Sequence, residues 1–197
     1  LLFLMITIVS IASADSLVGY WKLDENTGTI AADSSSYGND GNLLYMNGDE
    51  WTTGRTNGAL SFDGSLEAVV VSNSTSIASL SQAFTISAWV YSEDSEGWSR
   101  NILCKGDFGG TRLNAFRLRK ETNGTLALSL GDGTNLQYFY AGTIPYQTWH
   151  HVVATFDGSN IVLYQNAISV NGPSLKTIGN LCTDGDFAIG RQSYADS

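Results

Sequence analysis

Apolar and polar positions along this chain alternate with a period of two, and no amphipathic helical repeat is visible. The clearest stretch is Trp149-His150-His151-Val152-Val153-Ala154-Thr155-Phe156, then Asp157-Gly158-Ser159-Asn160, then Ile161-Val162-Leu163-Tyr164. Two runs of β-branched and aromatic residues flank an Asp-Gly pair, which tolerates the positive φ of a tight hairpin turn. The first run is apolar on both faces, so it is expected to be covered on both sides, in the middle of a two-sheet core. Phe84 to Tyr91 also alternates: Phe84, Ile86, Ala88 and Val90 face one way, Thr85, Ser87, Trp89 and Tyr91 the other.

Taken in order, Leu1 to Val9 is an uncharged apolar run followed by Ser10-Ile11-Ala12-Ser13-Ala14. Ala12-x-Ala14 matches a signal-peptidase site, and the run is too short to span a bilayer. Residues 1–14 are therefore read as part of a signal peptide outside the fold, and an exported, secreted or cell-surface protein is expected. Residues 15–197 then form one domain. Further strands are predicted over Leu17 to Leu23, Ala59 to Phe62, Glu67 to Val71, Ile102 to Lys105, Ala115 to Arg119, Thr125 to Leu130 and Phe187 to Arg191. Asp33 to Asn42 carries turn residues at nearly every position. About a dozen short strands with closely spaced turn signals mean an all-β sandwich or jelly roll of antiparallel sheets.

Composition adds limits. Aromatics make up 11% and glycine outnumbers proline 21 to 2, as suits strands joined by glycine turns. The formal net charge of −9 disfavours nucleic acid or an anionic membrane as partner. The chain has 2 cysteines, Cys104 and Cys182, and export favours a disulfide between them. Asn73-Ser74-Thr75 and Asn123-Gly124-Thr125 are glycosylation sequons.

The ordered segments Leu17-Val18-Gly19-Tyr20-Trp21-Lys22-Leu23-Asp24-Glu25, Asp33-Ser34-Ser35 with Gly38-Asn39-Asp40-Gly41, and Ala59-Leu60-Ser61-Phe62-Asp63-Gly64 form a recognisable set. Phe84 to Val90, Ile102 to Gly106, Trp149-His150-His151-Val152 and Ile189-Gly190 continue it. Together they resemble the LamG-like jelly-roll family of concanavalin A-like lectin/glucanase sandwiches. The resemblance implies two curved antiparallel sheets and a carbohydrate- or protein-binding role within a larger secreted protein. Two departures stand out. Ala167 follows Tyr164-Gln165-Asn166 where relatives carry glycine, so that turn is expected to take another form. The family's closing strand is absent up to Ser197, which is expected to leave an unpaired edge near the N-terminal strand.

Catalysis is not expected of this domain. A retaining glycosidase needs two carboxyls about 5 Å apart. Glutamate occurs only at Glu25, Glu50, Glu67, Glu93, Glu96 and Glu121, without the Glu-x-Asp-x-x-Glu spacing of sandwich glucanases. His150 and His151 are the only histidines, and adjacent strand residues point to opposite faces, so they cannot share a metal. The resemblance implies a structural Ca²⁺, for which Asp33, Asp40 and Asp63 are the candidate ligands. The alternative is that these aspartates only make Asx turns. For a sugar ligand, Tyr138 and Tyr140 are the expected stacking platform, with Trp98 as second choice. Their alternative is an edge pair within a sheet. Trp21, Trp89 and Trp149 are expected to be buried within strands.

The function expected is a non-catalytic binding module for a polysaccharide or glycoprotein ligand, beside other domains of the same polypeptide. The alternatives are an adhesion domain without sugar affinity, or an accessory domain of a polysaccharide-degrading enzyme.

Overall fold

The computed structural model describes residues 2–9, 17–93, 99–106 and 115–190. Strands β1 (Leu2–Val9), β2 (Leu17–Trp21), β3 (Ile30–Ala31), β4 (Gly41–Leu44), β5 (Trp51–Thr53), β6 (Gly58–Phe62) and β7 (Ala68–Val71) come first. A short helix, α1 (Thr75–Ser79), follows, its first turn capped by the Ser74 hydroxyl. Next come β8 (Phe84–Ser92), β9 (Arg100–Lys105), β10 (Phe116–Lys120), β11 (Thr125–Gly131) and β12 (Leu136–Thr143). The last four are β13 (His150–Phe156), β14 (Asn160–Gln165), β15 (Ile168–Leu175) and β16 (Phe187–Ile189).

All ladders are antiparallel and form two sheets, giving the expected all-β jelly-roll sandwich. Sheet A runs β15-β14-β13-β8-β1-β6-β5, with β2 also paired to β1. Sheet B runs β12-β11-β10-β9-β16-β7-β4-β3. Phe84, Ile86, Ala88 and Val90 of β8 are all buried, as the alternation required. Phe84 meets Phe116 of the opposite sheet at 4.5 Å between ring centroids. Trp21 stacks on Phe187 at 5.4 Å, and its indole N–H donates to the Asn39 carbonyl at 2.9 Å. Burying each such side chain stabilises the fold by about 1.5–3 kcal/mol.

The hairpin over Asp157 and Gly158 forms as read, with Phe156 opposite Ile161. Asp157 Oδ1 accepts from the N–H groups of Ser159 and Asn160, and Gly158 sits at φ 96. The expectation that β13 is covered on both faces is corrected. Val152, Ala154 and Phe156 are buried, while His151, Val153 and Thr155 are only half so. In a two-layer sandwich each strand has one inner face, and apolar residues on the other remain partly wet. For the same reason Trp89 and Trp149 are half-buried rather than core, and only Trp21 matches its expected burial.

The N-terminal run also has a place in sheet A. Residues 1–14 were expected to lie outside the fold, yet Leu2–Val9 is seated inside sheet A. It pairs with β8 on one side and with β6 and β2 on the other. The edge expected to be open beside β2 is therefore paired. An uncharged run of Leu, Ile, Val and Phe satisfies the pattern of an export signal and of a buried strand alike, and periodicity alone does not separate them.

Candidate functional site

The outer face of sheet B is built by register. Tyr138 of β12 opposes Ser129 of β11, which opposes Arg117 of β10, which opposes Cys104 of β9, which opposes Ala188 of β16. Tyr140 opposes Ala127, Ala127 opposes Arg119, and Arg119 opposes Asn101. Directly opposed residues share a face, so these two rows lie side by side. Their neighbours along each strand, Phe116, Leu118, Leu128 and Phe139, point into the core.

Burial grades across this surface. Tyr138 and Tyr140 are exposed at 37% and 53%, whereas Arg117, Ser129 and Asn101 are buried. The two tyrosine rings lie stacked, 6.0 Å apart and 9° from parallel. The Arg119 guanidinium lies 5.7 Å from the centre of the Tyr138 ring. Arg119 Nε also donates to Glu121 Oε1 at 2.8 Å, and the Ser99 hydroxyl donates to Glu121 Oε2 at 2.9 Å. Among the described residues the buried Ser129 hydroxyl has no hydrogen-bond partner. The surface thus offers a flat aromatic pair beside the Arg119–Glu121 ion pair, which suits a ligand with both apolar faces and hydrogen-bonding edges.

The sequence picked out Tyr138 and Tyr140 but missed Arg117, Arg119, Ser129, Asn101 and Glu121. The signal was present in Phe116-Arg117-Leu118-Arg119, where two arginines alternate with two core residues. Trp98 lies outside the described residues, as does Glu96.

The candidate calcium ligands accept hydrogen bonds from the chain itself. Both oxygens of Asp33 are occupied: Oδ1 accepts from the N–H groups of Tyr20 and Ser35, and Oδ2 from the Ser35 hydroxyl and the Asn39 N–H. Burial raises its pKa, but these four bonds outweigh it and hold the carboxyl below its usual range. Asp40 Oδ1 accepts from the Asp33 N–H, while Asp63 sits in another turn, accepting from the Ser65 N–H. Among the described residues no three His, Cys, Asp or Glu side chains gather as a metal site. Asp33 and Asp63 each make an Asx turn with the N–H two residues on, whereas Asp40 bonds back across the loop to Asp33.

The expected Cys104–Cys182 disulfide is not formed. Cys104 faces outward beside Arg117, whereas Cys182 packs against the core from the segment after β15. Burial pushes the Cys182 thiol upward in pKa. The two lie on opposite sides of sheet B, which two-residue geometry on a strand makes clear: Lys105, next to Cys104, reaches the Thr183 carbonyl from the inner side.

His151 and Trp89 are cross-strand neighbours with rings 5.1 Å apart, and His151 Nε2 is 2.8 Å from the Ser87 hydroxyl. His150 Nδ1 is 3.1 Å from Asn166 Nδ2. Burial lowers both histidine pKa values. As expected, they face opposite sides and share no site.

A laminin G model described as concanavalin A-like lectin/glucanases superfamily matches residues 63–197. This chain belongs to that superfamily. No curated protein matches it. Among solved structures similar to this lectin/glucanase sandwich, Trypanosoma rangeli sialidase in complex with the inhibitor DANA has a TM-score of 0.61 at 16% identity, covering 94% of this chain and 27% of the sialidase chain. The same sialidase in complex with sialic acid has a TM-score of 0.62 at 15% identity, covering 98% and 28%. A structure of botulinum neurotoxin type C, which depends on two ganglioside molecules to enter cells, has a TM-score of 0.56 at 13% identity, covering 89% and 45%. At these identities the likeness is one of fold. This superfamily member spans well under two thirds of either neighbour.

Proposed function

We propose that this lectin/glucanase-type sandwich is a glycan-binding module, and that the outer face of sheet B near β12 receives the sugar. The observation that carries the reading is the exposed, stacked pair Tyr138 and Tyr140 beside Arg119. Pyranose rings present C–H faces that stack on aromatic rings, while their hydroxyls seek polar partners such as the Arg119–Glu121 pair. Proteins that carry a sandwich of similar fold and bind sialic acid or depend on gangliosides support a glycan as ligand class.

The module is non-catalytic in this reading. Glu121, the carboxylate at this face, is held by Arg119 and Ser99. Export, and service to other domains of a larger polypeptide, complete the proposal.

The test is a glycan array with the full chain, followed by titration calorimetry on the best ligand. Tyr138→Ala and Tyr140→Ala are each expected to weaken binding by about 0.5–1.5 kcal/mol with unchanged melting. No glycan bound, or binding unaffected by both changes, would overturn the assignment. An adhesion role without sugar affinity would then be the remaining reading. It is favoured by the half-buried Trp89, Tyr91, Trp149 and His151 on the outer face of sheet A.

A further inference from the structure

At the end of β9 the fully buried Lys105 brings its ammonium to a ring of oxygens. Its Nζ donates to Asn73 Oδ1 and to the backbone carbonyls of Thr183, Asp184 and Gly185, at 2.9 to 3.4 Å. Carbonyl dipoles aimed at one centre repel each other unless a positive charge sits there. The backbone is shaped for that convergence. Gly185 takes φ 81, and a Cβ on it would lie 2.5 Å from the Gly106 carbonyl carbon, so glycine is what lets the loop close against the end of β9. The Gly106 N–H donates to the Asp186 carbonyl at 3.0 Å, and the Asn73 N–H donates to Asp186 Oδ1 at 2.9 Å, which fixes both sides of the ring. Burial disfavours charge on Lys105, and the carboxylates of Asp184 and Asp186 oppose that by favouring it.

We propose that Asn73 and Thr183–Gly185 form a monovalent-cation site whose cation the chain itself supplies, as the Lys105 ammonium. The distances name the class of ion. Oxygens 2.9 to 3.4 Å from the centre fit an ammonium or an ion of potassium's size, whereas calcium draws its oxygens in to about 2.3–2.6 Å. The chemistry of the ring agrees, because its four oxygens are neutral carbonyls, the ligands that replace the water around a large monovalent ion. The segment leading into β16 is therefore clamped without an ion taken from solution. That segment also carries Gly179 and Cys182, whose N–H groups donate to Asp132 Oδ2 and the Gly131 carbonyl, so the clamp is tied to the turn that begins β12.

The test removes the tethered ion and offers free ones. The full chain with Lys105→Gly, which vacates the space of the side chain, is melted at fixed ionic strength in methylammonium, ammonium or potassium chloride. Choline and calcium chloride serve as comparisons. The expected result is a saturable rise in melting temperature of at least about 2 °C with methylammonium, ammonium or potassium, absent with choline and absent in the unsubstituted chain. Should Lys105→Gly not fold, the unsubstituted chain decides the matter. By nitrogen-15 NMR its Lys105 Nζ is expected to give a resolved ammonium signal whose protons exchange slowly with water, and Gly185→Ala is expected to speed that exchange. No ion-specific rise in the variant, a rise with calcium alone, an equal rise in the unsubstituted chain, or a Lys105 ammonium exchanging as fast as exposed lysines would each overturn the proposal.

Discussion

Asn166 and Ala167 both adopt left-handed backbone conformations, at φ 47 and φ 67, in the turn between β14 and β15. Gln165 pairs directly with Ile168, leaving a two-residue loop that needs positive φ at both positions. The turn therefore takes up positive φ at both positions despite the alanine. A residue with a Cβ is strained there by about 1–2 kcal/mol. Ala167→Gly is expected to raise stability by about 1 kcal/mol, less a small loss to unfolded-chain entropy. A denaturation midpoint shifted upward with an unchanged slope would bear this out. At this scale the sequence exposed the conflict, since Ala after Asn is a poor turn residue. It did not reveal that cross-strand pairing would win.

Strands bring together groups that no local pattern links. Lys105 ends β9 and, unusually for a lysine, is fully buried. Its Nζ donates to Asn73 Oδ1 at 3.2 Å and to the carbonyls of Thr183 at 2.9 Å, Asp184 at 3.4 Å and Gly185 at 3.1 Å. Burial lowers its pKa, against the opposing pull of Asp184 and Asp186. The ammonium thus holds the segment leading into β16. Lys105→Met is expected to destabilise the fold by about 3 kcal/mol, although methionine is the more apolar residue, because four oxygens lose their donor. Chemical denaturation measures the loss, and faster hydrogen exchange across residues 183–186 would locate it. Asn73 is also the first residue of a sequon, and its amide donates to the Thr183 carbonyl at 3.3 Å, so its side chain is committed to the same joint.

For the whole molecule, pH acts through groups spread over both sheets. Burial depresses the pKa values of His150 and His151 below the ordinary 6.5. As pH falls through that value the unfolded chain takes up protons that the folded chain resists, so stability is full above it and declines below it. The Asp33 carboxyl is held below its ordinary 3.8, and the stability it contributes is lost as pH falls through its still lower folded value. The melting temperature is expected to fall between about pH 7 and pH 5, and again in strong acid. In a His150→Gln, His151→Gln double variant the first decline should flatten. A first decline of undiminished size in that variant would locate it elsewhere.

Sequence alone settled which residues of β8 turn inward. Side chains alternate across a strand, and water drives one set, such as Phe84, Ile86, Ala88 and Val90, into the core. It settled the turn at Asp157 and Gly158 for a similarly local reason. Only tertiary structure decided which strands became neighbours and in what register. That choice set Arg117 beside Ser129 and Tyr138, put Cys104 and Cys182 on opposite sides of a sheet, and seated Leu2–Val9 between β8 and β6. Register comes from hydrogen bonds and packing between segments far apart in the chain, and no local alternation encodes it.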